Sequence, residues 1–172
     1  MIVFAPEAPA EAGAREALLD RVMGSARVLK PSERLRTGRE PARGLALVAR
    51  DGDKLAGSVR LWHVNAGGKP ALLLGPLAVD RSAEGSGVGS SLMRLAIARA
   101  GMIGHEGIIL VGDPEYYERF GFTAEPTGGL VMPAPVERRR FLGLELRPKA
   151  LAGTAGLIVP AGLLSVPARV AA

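Results

Sequence analysis

The chain contains no cysteine in 172 residues. That excludes a disulfide framework, a thiolate metal site and a cysteine nucleophile. Its two histidines, His63 and His105, are too few for a histidine-based zinc site, so no metal is expected. Aromatic residues make up 4%, which argues against a nucleic-acid surface built on stacked rings. Long apolar runs are also missing. The longest stretch, 155–168, is broken by Pro160 and Pro167 and is too short to cross a bilayer. Met1 to Pro6 has no basic residue ahead of its short apolar stretch, and Glu7 follows at once, which does not fit a signal peptide. These features predict a soluble cytoplasmic protein with no membrane or nucleic-acid partner.

What is present suits a packed domain. The length corresponds to about one domain, spanning 1–172, and 48% of the residues are apolar. The role of the tail, 153–172, stays open. Arginine supplies 18 of the 22 basic residues, spread along the chain, and the net charge is +5. That balance allows an anionic ligand without demanding a polyanion.

Ala10 to Met23 reads as a helix with Ala14, Leu18, Leu19 and Val22 on one apolar stripe and Gly24 as its stop. A second short helix is predicted within Leu29 to Thr37, and 38–43 reads as a polar loop. Strands follow at Gly44–Arg50, Lys54–Asn65 and Ala71–Val79, joined by turns at Asp51-Gly52 and 66–70. The third strand is almost wholly apolar, as a central strand buried on both faces would be. Ser86 to Ala100 then has helical spacing, and Gly104 to Val111 holds a buried strand. An antiparallel meander leading into a βαβ unit predicts a mixed α/β domain with one parallel strand pair. Pro114 to Phe120 reads as a short helix, and further strands are expected from Phe122 and over Arg139–Leu146.

The stretch Asp80 to Ser91 joins the central strand to a helix and carries glycines at 85, 87 and 89. Such a turn lets backbone N–H groups converge on a ligand, and the helix N-terminus favours an anion, phosphate above all. A ligand-free flexible turn would have the same composition. Known nucleotide motifs fit poorly. Ser90 follows Gly89 where a phosphate-binding loop of NTPases needs lysine. A dinucleotide fingerprint would sit in the first turn of a parallel sheet, not after a meander.

These residues resemble the GNAT superfamily of N-acetyltransferases. The match is to its acetyl-CoA motif, here Glu84-Gly85-Ser86-Gly87-Val88-Gly89 after Leu77-Ala78-Val79-Asp80. A second motif follows, Tyr116-Tyr117-Glu118-Arg119-Phe120-Gly121-Phe122. The runs around Leu77–Asp80 and Asp113–Phe122 are similar to the bacterial YhbS-like branch. The specific match covers 71–122.

The resemblance implies a GNAT fold with a splayed parallel pair and acetyl-CoA as co-substrate. It implies that Leu77, Ala78 and Val79 pair with the pantetheine arm and that Gly85, Ser86, Gly87, Val88, Gly89 and Ser90 hold the pyrophosphate. A backbone N–H near Leu77 to Val79 would face the thioester oxygen. Tyr117 would be the general acid for the leaving thiolate, with Tyr116 structural. Asp113 and Phe120 would lie against the cofactor, although Asp113 also suits a helix cap and Phe120 and Phe122 suit the core.

The sequence departs from the pattern at Glu84, where glutamine or arginine is usual, and at Leu110 to Asp113, where an asparagine often stands. The strand Ala71–Val79 has no ionisable side chain to act as base. His63 is a candidate base and Trp62 a candidate pocket residue, with core or surface positions as the plainer alternative for each. Arg138-Arg139-Arg140 could meet a CoA phosphate or an acidic acceptor, but such a run is more often a solvated face. The acceptor is a small-molecule or peptide amine, or a protein lysine. It would be set by loops at Ser25–Arg43 and Thr127–Pro135. A homodimer is open. A non-catalytic CoA-binding protein and a nucleotide-binding protein are the alternatives.

Overall fold

The computed structural model describes residues 1–166. The end of the apolar tail, 167–172, lies outside the described residues. The sheet has the order β1-β2-β3-β4-β5-β7. Its strands are β1 (Ile2–Pro6), β2 (Ala46–Asp51), β3 (Lys54–Ala66), β4 (Lys69–Val79), β5 (Gly107–Val111) and β7 (Phe141–Glu145). Two short strands, β6 (Leu130–Val131) and β8 (Gly156–Pro160), pair with each other, and β8 also pairs with β3.

The first four strands run antiparallel. Gly67 and Gly68, at φ 59° and 89°, make the β3–β4 turn, because only a left-handed pair matches the strand twist. The register of β3 on β4 slips by one residue, from Val59 opposite Leu77 to Leu61 opposite Leu74. The extra residue falls at the Gly75-Pro76 bulge. Trp62 closes that bulge: it is buried, and its Nε1 donates to the Gly75 carbonyl at 2.6 Å. Trp62 is thus a core residue.

The crossover helix α3 (Val88–Ile103) covers one face with Val88, Leu92, Met93, Ala96 and Ala100. The other face is covered by α1 (Ala12–Met23), through Leu18 and Leu19 against Val48 and Ala78. A short α2 (Glu33–Arg36) buries Leu35 beside Trp62 and Leu73. Gly24 ends α1, as predicted. The stripe of α1 differs from the sequence expectation, since Ala14 is exposed and Arg15 is buried. Arg15 is held inside by Glu7, at 3.0 Å, and Glu7 also takes Arg60 at 2.6 Å. A paired charge can occupy a position that an unpaired one cannot.

β5 joins β4 in parallel, as predicted, but only at Leu72–Ile108 and Leu73–Ile109. Beyond Leu73 the two strands separate. The strand expected from Phe122 is reduced to one bridge, Thr123 with Gly143. β1, β6 and β8 lie outside the strands expected from the sequence.

Candidate active site

The separation of β4 from β5 opens a cavity of about 180 Å³. Leu74, Gly75, Pro76 and Leu77 form one wall, and Val111, Gly112, Asp113 and Tyr117 the other. The segment after α1 closes it with Arg27, Lys30, Ser32, Glu33 and Arg36. β3 bonds one edge of Leu77, Ala78 and Val79, at Val59, Ser58 and Gly57. β5 has no pairing with these three residues, so their other backbone edge faces the gap. The side chains of the three diverge: Leu77 lines the gap, Ala78 packs under α1, and Val79 lines the next cleft.

Tyr117 comes from α4 (Pro114–Tyr117), which starts directly after β5. Its ring lies on Gly112, where an added Cβ would collide with Cε2 and stand 2.9 Å from Cδ2. Only glycine leaves room for the ring there. Burial pushes the Tyr117 phenol up to about 12, with smaller contributions from Tyr116 and Asp113. The hydroxyl therefore keeps its proton at every ordinary pH.

Asp113 occupies the cap position of α4 but makes no side-chain cap bond. Its carbonyl takes the N–H groups of Tyr116 and Tyr117, while its carboxylate stands 3.3 Å from Arg140 Nε. The capping expectation is corrected by that ion pair. Arg140 also lines the cavity. Its neighbours in the run do other work: Arg139 pairs with Glu115, and Arg138 bonds the Thr127 and Leu130 carbonyls. Arg138 and Arg139 are exposed and Arg140 is half-buried, so the run is largely solvated, and each arginine bonds a different partner.

A second cleft of about 350 Å³ lies over the glycine-rich turn. It is lined by Val79, Glu84, Gly85, Gly87, Val88, Gly89 and Ser90, together with Tyr116 and Arg119. Gly85 and Gly87 take φ of 74° and 83°, and Gly87 is the N-cap of α3. Ser91 N donates to Gly87 O, so the N–H groups of Val88, Gly89 and Ser90 precede the first helical bond. The Ser86 hydroxyl is turned back onto the Ala83 carbonyl. Phe120 packs at the core edge against Tyr116, ring centroids 5.5 Å apart, and lines neither cleft. Arg119 also lines this cleft, a position that the sequence pattern does not single out. It follows Tyr116 by three residues, lies over that ring at 4.7 Å, and brings a cation to a cleft that also holds Glu84.

Asp80 sets the path from β4 into this turn. It takes the Ser82 hydroxyl at 2.6 Å and the Ser82 N–H at 3.1 Å, with Arg21 and Lys54 beside it. The Ser82 bonds, more than the two cations, hold its carboxyl far below the ordinary carboxylate range. Asp80→Ala should lower stability by about 1 kcal/mol, as loss of a capping oxygen does. The carboxyl is depressed in the fold, so its contribution is full above pH ~4 and fades as pH falls below that. Melting curves of the two proteins should differ by a constant amount down to about pH 4 and converge at lower pH.

His63 stands beside His105, ring centroids 5.4 Å apart, and neither lines the two clefts. Among the described residues no His, Asp or Glu cluster suited to a metal is present, and no helix is long and apolar enough to cross a membrane.

Residues 42–124 match the profile of the Acetyltransferase (GNAT) domain. The uncharacterized N-acetyltransferase YhbS of Escherichia coli (strain K12) is 31% identical over 117 residues, 66% of this chain and 70% of that protein. The crystal structure of Escherichia coli YhbS in complex with CoA is similar at a TM-score of 0.79 and 29% identity, over 93% of this chain and 89% of that one. A GNAT family acetyltransferase from Brucella melitensis, solved with acetyl-CoA, is similar at a TM-score of 0.64 and 27% identity, over 98% and 97% of the two chains. With the strand gap, the glycine turn and these relatives in agreement, the chain belongs to the GNAT family of N-acetyltransferases.

Proposed function

We propose that the protein moves an acetyl group from acetyl-CoA to an amine by direct attack, as one cytoplasmic acyltransferase domain. The observation that carries this reading is the unpaired edge of β4 past Leu73, with the glycine turn at one end and Tyr117 across the gap. An extended pantetheine arm has amide groups that can bond such an edge as a strand would. The pyrophosphate would then meet the N–H groups of Gly85 to Ser90 and the dipole of a 16-residue helix.

In the reaction the amine nitrogen attacks the thioester carbon. A backbone N–H of Leu77 to Val79 takes the developing oxyanion. The C–S bond then breaks as Tyr117 donates its O–H to the leaving sulfur. The amine's own proton leaves to solvent, and solvent returns a proton to Tyr117, so the phenol is restored for the next cycle. The cavity carboxylates Glu33 and Asp113 are engaged by Arg36 and Arg140.

Titration with acetyl-CoA, ATP and NAD should stabilise the protein with acetyl-CoA alone. An amine panel should then release free thiol, which is read cleanly because the chain has no cysteine. Stabilisation by acetyl-CoA without thiol release from any amine would point to a CoA-binding protein that does not catalyse.

A further inference from the structure

We infer that the acceptor is a small amine carrying a carboxylate, and that Arg36 is the residue that reads that group. The inference rests on the acetyltransferase reading and names the acceptor class of the same cavity.

Charge in the cavity is uneven. Arg27, Lys30, Arg36 and Arg140 line it against Glu33 and Asp113. Arg27 is occupied, since Glu16 and Asp20 both bind it. Arg140 faces Asp113; its Nε, like that of Arg36, has no hydrogen-bond partner among the described residues, but its side chain is 38% exposed, so its other donors reach water. Arg36 is far more deeply buried. Its side chain is 7% exposed, and its bond to a carboxylate is made by Nη2 alone, to Glu33 at 2.5 Å. Its Nε is buried and has no hydrogen-bond partner among the described residues. Its Nη1 lies 3.1 Å from where a Cβ of Gly75 would stand, against the β4 wall of the gap.

A buried guanidinium with unused donors is costly to keep. Burial pushes the Arg36 guanidinium down from its ordinary value, and Glu33 only partly opposes this. The group nonetheless stays charged, because an arginine starts so far above neutrality. An incoming carboxylate would supply the missing acceptor and a second counter-charge. The planar fork of donors matches two carboxylate oxygens better than any neutral group. A cavity of about 180 Å³ suits a small acceptor. The amine would lie toward Tyr117, on the β5 wall of the same cavity.

The test uses calorimetry on the whole protein saturated with CoA, so no turnover is needed. Glycylglycine, β-alanine and glutamate are each titrated against their carboxamides, and phosphoethanolamine against ethanolamine. At least one carboxylate should bind roughly tenfold or more tightly than its amide, as a charge-assisted bond implies. Arg36→Met should bring that ratio to about twofold or less, and Arg36→Lys should keep part of it. A merely structural arginine would shift both members of a pair together. CoA affinity, measured in each variant, reports folding, and where Arg36→Met fails to fold the ratio in Arg36→Lys decides. Equal binding of carboxylates and amides, no carboxylate binding, an unchanged ratio in the variants, or preference for the phosphate pair overturns the inference. Failure to bind CoA overturns the acetyltransferase reading and this inference with it; CoA binding without carboxylate preference overturns the inference alone.

Discussion

Tyr117→Phe should lower kcat by roughly 10²–10⁴-fold, the usual range for loss of a general acid. The change removes one oxygen and keeps the ring on Gly112, so CoA affinity should stay close to that of the parent. The phenol is pushed up to about 12 because burial disfavours the phenolate. A raised value leaves the proton in place. The leaving thiolate, with a thiol pKa of about 8.5, is a weaker base than the Tyr117 phenolate, so Tyr117 acts by donating a hydrogen bond as negative charge builds on sulfur, and solvent restores any proton it gives up. The sign of the shift also fixes the pH profile. Activity should rise with pH as the acceptor amine deprotonates, then hold level through about pH 10, since Tyr117 is still protonated there. A decline between pH 8 and 10 that vanished in Tyr117→Phe would contradict the shift. Tyr116→Phe is the control and should keep its kcat, because its hydroxyl stands beside Gly89 in the phosphate cleft, so any loss should fall on CoA affinity. Near-normal kcat in Tyr117→Phe would mean that water protonates the thiolate.

The central part of this fold was readable from the sequence because it is written in local signals. Tight turns at Asp51-Gly52 and Gly67-Gly68 force antiparallel neighbours, and a helical crossover after Val79 forces a parallel one. The glycine turn was readable because few backbones other than glycine tolerate the φ values found at 85 and 87. What escaped depends on partners distant in sequence. β1 is five residues long and pairs with β2 across more than forty residues. Arg15 is inside because Glu7 is there, and Asp113 fails to cap α4 because Arg140 arrives from the start of β7. Arg36 lies within the segment Ser25–Arg43 expected to set the acceptor, but nothing local in the sequence marks it apart from the other arginines there. Only the packing of α2 against Gly75 removes it from water. Arg119 had a local signal, its spacing of three from Tyr116, which places the two side chains on one face. Its value to the site appears only once the glycine turn is seen to lie opposite.

Gly89→Asp should abolish CoA binding by two additive effects. The first is space. A Cβ at Gly89 would stand 3.0 Å from the Tyr116 hydroxyl and 3.2 Å from Val79 Cγ2, so the wall of the cleft must give way. The second is charge. Two unit charges about 4 Å apart repel by about 4 kcal/mol at an effective dielectric constant of 20, which is roughly a thousandfold in affinity. The helix dipole at this end is positive and would hold the new carboxylate ionised, in the place a phosphate should take. Gly89→Ala separates the effects, since it adds the crowding without the charge. Calorimetry should show a modest loss for the alanine variant and no measurable binding for the aspartate variant. Arg119 and Glu84 share this cleft, so the same charge argument orders their variants. Removing the cation should weaken CoA, and Glu84→Gln should not. Unchanged affinity in Gly89→Asp would move the phosphate site away from α3 altogether, because no arrangement with pyrophosphate on those N–H groups could ignore a carboxylate in the first helical turn.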